Sequence, residues 1–154
     1  MSRFTRKTKT KYIACPLIAN PKAPTRAELG AGQPLSQDIA AVNGFTLTGS
    51  TQDTPDLDHR RAPQVAGDDK VDDSSFTFWD DDDSTDIREA LAKDTELFIV
   101  YLPYGDVPGK RCEVWQATSL GVNDKVDLST AAQYQVGFAI GLTVEQDAVV
   151  PPKS

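Results

Sequence analysis

The chain has 154 residues, of which 39% are hydrophobic and 25% are charged, and this composition suits a single folded domain with its own core. Its longest clear apolar run, Leu97–Leu102, is far shorter than the roughly 18 residues of a membrane-spanning helix, so a membrane span is excluded. The two cysteines, Cys15 and Cys112, are too few for a disulfide framework and lack zinc-knuckle spacing, which indicates reduced thiols.

The formal net charge of −7 is unevenly divided along the chain. Residues 1–26 hold seven basic and no acidic residues, whereas residues 27–154 hold nine basic and 23 acidic residues, a net charge of −14. Fifteen of the acids fall between Asp53 and Glu96. Such a surface repels nucleic acid. The basic N-terminus is either a short tail that contacts nucleic acid or a flexible, solvated end.

The first 67 residues carry few periodic signals. Residues 1–40 are predicted to form an extended arm, because prolines and glycines interrupt them, with a short strand near Tyr12–Cys15. Alternating apolar and polar residues predict a strand over Val42–Gly49. Residues 50–67 have no apolar period and are predicted to be a long loop. Compact domains rarely carry so long a loop without using it for binding, so this loop is a candidate contact surface.

The middle of the chain is predicted to hold a strand and the only helix. Alternation over Ser74–Asp80 indicates a strand. Ile87 and Leu91 stand four positions apart after a run of acidic residues, which predicts a short helix. Asp83 or Ser84 is expected to cap this helix, because side-chain oxygens accept hydrogen bonds from the free N–H groups of the first turn.

The last third of the chain carries the strongest strand signals. Leu97–Leu102 is predicted to be a strand buried on both faces, and Arg111–Thr118 is predicted to pair with it as a hairpin. Residues 1–150 are thus predicted to form one mainly-β domain, an antiparallel sandwich or barrel with one flanking α-helix, and residues 151–154 a loose tail. The final strand alternates most cleanly, with apolar residues at Tyr134, Val136, Phe138, Ile140 and Leu142.

No residue pattern points to catalysis. His59 is the only histidine, and in the polar loop it is expected to be a neutral surface side chain. The run Asp80–Asp83 fails as an EF-hand, because the sixth and twelfth positions counted from Asp81 are Asp86 and Ala92 rather than glycine and glutamate. We therefore expect a solvated acidic turn, no cofactor and no enzyme. A catalytic carboxylate pair stays open, because such partners meet only in space.

Several short motifs, taken in their order along the chain, resemble the major tail tube proteins of long-tailed phages of actinobacteria. The resemblance covers most of the chain from about residue 20 to residue 145. Its motifs are Asn20–Gly32, Gly44-Phe45, Thr48-Gly49-Ser50, Asp53–Leu57, Asp73–Phe78 and Phe138-Ala139-Ile140.

This resemblance implies a structural virion protein that forms homohexameric rings stacked into a tail tube, assembled in the host cytoplasm. Its implied partners are further copies of itself and the tape measure, tail terminator and distal tail proteins, while DNA passes through without specific binding. Two alternatives stay open: a ring protein of the head–tail connector or tail terminator kind, and a calcium- or carbohydrate-binding β-sandwich module. The module would use the acidic run, or Trp79 and Trp115, although core or interface packing is the favoured role of both tryptophans.

Three groups of residues are expected to serve the assembled tube, and the basic arm is expected to dock on acidic surface near 80–83 of an adjacent subunit. The arm candidates are Arg3, Arg6, Lys7, Lys9 and Lys11. The loop candidates are Asp53, Pro55, Asp56, His59, Arg60 and Arg61. The lumen candidates, expected to repel DNA, are Asp68, Asp69, Asp72 and Asp73.

Overall fold

The computed structural model describes residues 3–81 and 85–152, and a curled antiparallel sheet that forms a half-barrel dominates it. Strands account for 46% and helices for 7%, which confirms the predicted mainly-β class. In chain order the elements are β1 (Lys11–Cys15), α1 (Arg26–Gly30), β2 (Gln33–Pro34), β3 (Ile39–Asn43), β4 (Leu47–Thr48), β5 (Thr51–Asp53), β6 (Gln64–Ala66), β7 (Lys70–Val71), β8 (Ser74–Trp79), α2 (Asp86–Ala90), β9 (Glu96–Leu102), β10 (Arg111–Lys125) and β11 (Gln133–Val149).

The half-barrel has the strand order β2-β1-β9-β10-β11-β8-β3, in which every neighbouring pair is antiparallel. The predicted strands near 12–15, at 74–80, at 97–102 and at 111–118 are all present, and the predicted β9–β10 hairpin is confirmed. Within the described residues, β2 and β3 are the two edges of this sheet.

The main core lies on one face of the sheet and is rich in aromatic rings. Phe76 is fully buried at its centre and contacts the rings of Tyr12, Phe45, Phe78 and Phe138 at centroid distances of 5.0–5.6 Å. The predicted helix α2 covers one side of this core with its buried Ile87 and with the buried Leu91 that follows its last residue. The structure places Thr85 at the N-cap position of α2, while the predicted caps at 83 and 84 lie outside the described residues.

A second, smaller apolar cluster lies on the other face of the sheet. Along β9, Ile99 faces the main core and Val100 faces the second cluster, so this strand is buried on both faces as predicted. Cys15 and Cys112 are fully buried in the second cluster as free thiols. Burial raises the pKa of Cys15 to about 12 and that of Cys112 to about 11, so both stay protonated near neutral pH.

The N-terminal 40 residues differ from the expected extended arm. β1 lies inside the sheet, between β2 and β9, and Leu35 is fully buried, so only the residues before Lys11 precede the sheet. Helix α1 was not predicted, yet Thr25 and Glu28 carry the sequence signature of a capping box. The described part of the chain thus contains two short helices rather than the one predicted.

The capping box of α1 is expected to make this helix pH-sensitive. The backbone N–H of Thr25, and next that of Ala19, donates to the Glu28 carboxylate and lowers its pKa. Because the folded pKa lies below the unfolded value of about 4.3, this stabilisation is present above that value and is lost as pH falls through the folded pKa. We expect the protection factors of the Ala19 and Thr25 amides, each taken relative to the intrinsic exchange rate at the same pH, to fall under these acidic conditions. Glu28→Gln has no carboxyl group to titrate at this position. In this variant the protection factors of the same two amides should stay nearly constant over the same pH range.

The strand predicted over 42–49 is broken. β3 ends at Asn43, and Gly44 and Phe45 follow with φ angles of 79° and 56°. The Phe45 backbone N–H donates to the Ser74 hydroxyl at 3.0 Å, and its ring stacks on Phe76 at 5.0 Å. The interruption therefore turns one more aromatic side chain into the core before the chain continues as β4.

The alternation of β11 ends at an irregularity opposite Gln116 of β10. There, residues 141–143 stand where regular pairing would place one residue. The Gln116 side-chain oxygen accepts a hydrogen bond from the Thr143 backbone N–H at 3.2 Å. Leu142 is fully exposed instead of continuing the inward row that the sequence predicted, because the bulge breaks the two-residue period.

The residues expected to form a loose C-terminal tail are held as far as the structure describes them. The Val150 backbone N–H donates to the Lys110 carbonyl at 2.9 Å, and Pro151 is buried. The Arg26 guanidinium donates to the carbonyls of Pro151 at 2.8 Å and Pro152 at 3.3 Å. The last two residues of the predicted tail lie outside the described part of the chain.

Candidate assembly surfaces

The segment predicted as a long loop, residues 50–67, contains the outer of two parts of a β-ribbon, and the inner part flanks it. β4 pairs with β7 and β5 pairs with β6, so the ribbon leaves the sheet after β3 and returns before β8. Ser50 ties its two parts together, since its hydroxyl donates to the Asp68 carbonyl at 2.6 Å and its carbonyl accepts from the Gly67 N–H at 2.7 Å. Residues 48–61 are all exposed, so the ribbon contributes contact surface rather than core.

The ribbon tip, residues 54–63, is shaped by Asp56. Its carboxylate accepts hydrogen bonds from the backbone N–H groups of Asp58 at 3.0 Å and His59 at 2.8 Å. It also contacts His59 Nδ1 at 2.9 Å, and this side-chain hydrogen bond is the main cause of the lowered pKa of Asp56. The structure places the predicted loop residues on this exposed ribbon; they are Asp53, Pro55, Asp56, His59, Arg60 and Arg61.

Leu57, at the tip, is the contact candidate that the sequence reasoning missed. Its side chain is 104% exposed, and it lies between Asp56 and Asp58. The available signal was a single large apolar residue inside an otherwise polar segment. A single exposed leucine is ordinary at a protein surface, so Leu57 is a contact candidate only because it lies at the tip of the exposed ribbon.

The N-terminal segment, residues 3–10, lies against its own subunit. The N–H groups of Lys9 and Thr10 donate to the Arg6 carbonyl, which forms a tight turn. The Phe4 ring packs on Tyr104 with centroids 5.6 Å apart, next to the end of β9. The predicted arm cations stay exposed around this turn; they are Arg3, Arg6, Lys7, Lys9 and Lys11.

A groove of about 590 Å³ separates this segment from the edge strand β3, and we call it the basic groove. Arg6, Lys7 and Lys11 line it on one side. Tyr12, Ile39 and Val42 supply apolar surface, and Thr8, Thr10, Ser36, Gln37, Ala40 and Ala41 complete the lining. No carboxylate is among these residues, so the groove suits an acidic occupant with an apolar anchor.

The predicted lumen acids flank the short strand β7. They are Asp68, Asp69, Asp72 and Asp73, and all four are exposed. In the acidic run, residues 82 and 83 lie outside the described residues, so the structure does not test the expected docking of the arm there. Among residues 3–81 and 85–152, no three histidine, cysteine, aspartate or glutamate side chains are grouped closely enough to hold a metal ion.

No helix in the described ranges has the length and apolar character needed to cross a bilayer. Large apolar side chains are nevertheless exposed at the far end of the β10–β11 hairpin and along its strands. They are Leu120, Val126, Leu128 and Leu142. Their shared place on one hairpin makes this hairpin a second candidate contact surface.

Comparison with known proteins gives a match in fold and a match to a sequence family. A chain of the anti-feeding prophage baseplate, solved by cryo-EM with six-fold symmetrisation, has the same fold, with a TM-score of 0.56 and 11% sequence identity over 94% of this chain and 96% of that one. No curated protein matches the sequence. The family model described as phage tail tube protein matches residues 1–153, which confirms the resemblance, while the actinobacterial host stays a prediction. The chain therefore belongs to the phage tail tube protein family and is a structural component of a phage tail.

Proposed function

We propose that this protein assembles into homohexameric rings that stack to form the tail tube, an acidic conduit through which the genome leaves the virion. The observation that carries the proposal is the exposed ribbon with the fully exposed Leu57 at its tip, in a chain that belongs to the tail tube family. The six-fold symmetrised assembly that contains the similar chain supports the hexamer. In this proposal residues 1–150 act as one tail tube domain.

The exposed apolar residues provide a driving force for assembly. Leu128 and Leu142 are fully exposed on β10–β11 and its turn, and we assign this hairpin to contacts between neighbours within a ring. Burying one leucine side chain contributes roughly 1.5–3 kcal/mol, and closed rotational symmetry repeats the contact at every interface. The ribbon then serves contacts between successive rings.

The proposed partners are the tape measure, tail terminator and distal tail proteins, and assembly takes place in the host cytoplasm. Two other roles give different outcomes. A terminator or connector would stop at a single ring. A carbohydrate-binding module would need several accessible aromatic rings. Trp115 is only 1% exposed and is packed against Phe45, whereas Trp79, at the end of β8, is 41% exposed, so of the two tryptophans only Trp79 could contact a sugar.

Sedimentation velocity with negative-stain electron microscopy of the purified protein, alone and with its tail assembly partners, tests the proposal. We expect long tubes of stacked rings with six-fold end views. Single rings that never elongate would indicate the terminator role. A protein that stays monomeric even with the assembly partners would contradict the proposal.

The acidic character of the conduit leads to a separate prediction. Six copies carry a formal charge of −42 per ring, and fixed negative charge prevents DNA from sticking to the wall within a Debye length of about 8 Å. We propose that the four lumen candidates contribute this field. Changing them together to lysine is expected to slow genome ejection while leaving the tubes intact; they are Asp68, Asp69, Asp72 and Asp73.

Ejection kinetics of assembled particles provide the measurement. The control reverses the same number of exposed acids outside the ribbon, namely Glu89, Asp94, Glu96 and Asp147, and should leave ejection near the unmodified rate. Equal ejection kinetics for the lumen variant and the unmodified particle would show that these four residues do not line the lumen.

A further inference from the structure

We propose that the ribbon tip is a cleavage site for trypsin-like endoproteases in the unassembled subunit, and that the cleaved subunit stays folded as two chains. Cleavage concerns the free subunit and does not depend on ring formation. Three features carry the proposal: a pair of exposed arginines, the lack of backbone pairing around them, and a sheet in which the two halves of the chain interleave.

Arg60 and Arg61 supply the side chains that such a protease selects. A trypsin-like enzyme binds arginine or lysine through a carboxylate in its specificity pocket. Both arginines are exposed, and neither has a hydrogen-bond or ion-pair partner among the residues that the structure describes. Hydrolysis after Arg61 adds one water across the Arg61–Ala62 peptide bond and leaves a carboxylate on Arg61 and an amino group on Ala62.

The backbone around this pair is free to enter an extended protease cleft. The Thr54 N–H donates to the Pro63 carbonyl at 2.8 Å and closes the base of the tip. Inside the tip, the hydrogen bonds of the Asp56 carboxylate reach no further than the His59 N–H. No backbone group of residues 60–62 is paired with another described residue. Exposed loop tips of this kind are the preferred sites of proteolytic nicking.

Exposed lysines elsewhere in the chain lie in paired backbone. The bond after Lys93 is held, because the Asp94 N–H donates to the Ser119 carbonyl at 2.9 Å. Lys125 is the last residue of β10 and is paired with Gln133 of β11. A protease must break these pairings before it can bind either lysine in extended form, so both sites are slower than the tip.

A cut at the tip divides the sheet between two interleaved fragments. Residues 1–61 carry β1–β5, and residues 62–154 carry β6–β11. Within the described residues, four antiparallel pairings join the two fragments; they are β1–β9, β3–β8, β4–β7 and β5–β6. β1 also lies inside the half-barrel, so the first fragment cannot leave without opening the sheet.

Side chains join the two fragments as well. Tyr12 and Phe45 belong to the first fragment and contact Phe76 of the second, with ring centroids 5.1 Å and 5.0 Å away. The Arg26 guanidinium of the first fragment donates two hydrogen bonds to the Asp106 carboxylate of the second, at 2.8 Å and 3.0 Å. The cleaved subunit therefore keeps its core and loses only the covalent link at the tip.

Limited digestion of the purified, unassembled protein with trypsin tests both parts of the proposal. We expect one dominant pair of large fragments whose new ends, identified by intact mass, lie after Arg60 or Arg61. Cuts before Lys11 are recognised because they remove only a short N-terminal piece. The two fragments should elute together with the intact protein in size-exclusion chromatography and separate in concentrated urea. A dominant pair from another position, or fragments that separate without denaturant, would overturn the proposal.

A matched pair of variants identifies the residues that the protease reads. Combining Arg60→Gln with Arg61→Gln is expected to slow the formation of large fragments at least about tenfold, because the specificity pocket loses both of its arginines. Combining Lys93→Gln with Lys125→Gln removes two exposed lysines from paired backbone and should change the rate less than about twofold. The opposite ranking would show that the protease enters the chain elsewhere.

Digestion in dilute urea separates local access from global unfolding. About 1 M urea raises a globally unfolded population roughly tenfold, so a cut that requires unfolding would accelerate by that factor. The rate at the tip should change less than about twofold, once trypsin activity is corrected with a small arginine substrate. A tenfold acceleration would contradict cleavage of the folded subunit.

The unfolding of the cleaved protein gives an independent check of its two-chain state. Because the cleaved subunit unfolds into two separate chains, its urea midpoint should rise with protein concentration. The midpoint of the intact, unassembled subunit should not. A midpoint of the cleaved protein that does not depend on concentration would show that the fragments are not held together by the shared sheet.

Discussion

Replacing Phe76 by alanine is expected to lower the free energy of unfolding by about 3–5 kcal/mol, the range measured when a buried aromatic side chain is truncated in a core. Phe76 is fully buried and contacts four aromatic rings, from strands β1 and β8, from the turn after β3 and from β11. The cavity left by its ring is bordered by elements far apart in sequence, so no single segment can move to fill it.

Urea unfolding of the unassembled protein measures this effect, with the slope of the transition checked for constancy. The control is Phe4→Ala, since Phe4 is 43% exposed and contacts one ring, Tyr104. Its truncation should cost about 1 kcal/mol or less. If Phe76→Ala cost no more than the control, the assignment of Phe76 to the centre of the core would be wrong.

The second large effect is expected for Gly44→Ala. Gly44 has a φ of 79°, and a Cβ there would collide with the Asp73 carbonyl oxygen and lie 2.7 Å from the Ser74 Cα. Both atoms belong to backbone that cannot turn aside like a flexible side chain. The left-handed conformation and the overpacking together should lower stability by about 2–4 kcal/mol.

A matched substitution isolates this cause. Gly30 ends helix α1 without a positive φ, and a Cβ there would meet nothing within 4 Å. Gly30→Ala is therefore expected to be neutral or to stabilise the protein by about 0.4–1 kcal/mol. Thermal unfolding of the two variants side by side provides the comparison. Equal midpoints would show that the turn after β3 tolerates a side chain.

Strands with strong periodicity were predictable from the sequence. Each wrong prediction of a strand or of an exposed residue has its own structural cause. β8 and β9 were found because their apolar residues face a core that the whole sheet shares. The strand at 42–49 was predicted as continuous, because the alternation of apolar and polar residues does not show that Gly44 and Phe45 have positive φ angles and interrupt the strand. The exposure of Leu142 depends on a bulge set by Gln116 of the neighbouring strand, which no local pattern reveals.

The candidate site was only half predictable. The loop at 50–67 was singled out by its length and polarity, and the structure shows it exposed as a ribbon. The basic groove could not be predicted, because it joins residues 6–12 to residues 36–42 through the curl of a sheet whose strand order is not sequential. Helix α1, in contrast, could have been predicted, because Thr25 and Glu28 have the spacing of a capping box at a helix N-terminus.

The burial of the two protonated thiols has a consequence for how the protein meets oxidants and thiol reagents. A sulfur atom reacts with oxidants and alkylating reagents mainly as the thiolate, and Cys15 and Cys112 are both 0% exposed with raised pKa values. Neither sulfur is then a starting point for ageing damage in an intact tail. Labelling of either cysteine by a thiol-reactive dye would instead measure how often a subunit opens, because both positions are buried in the closed subunit.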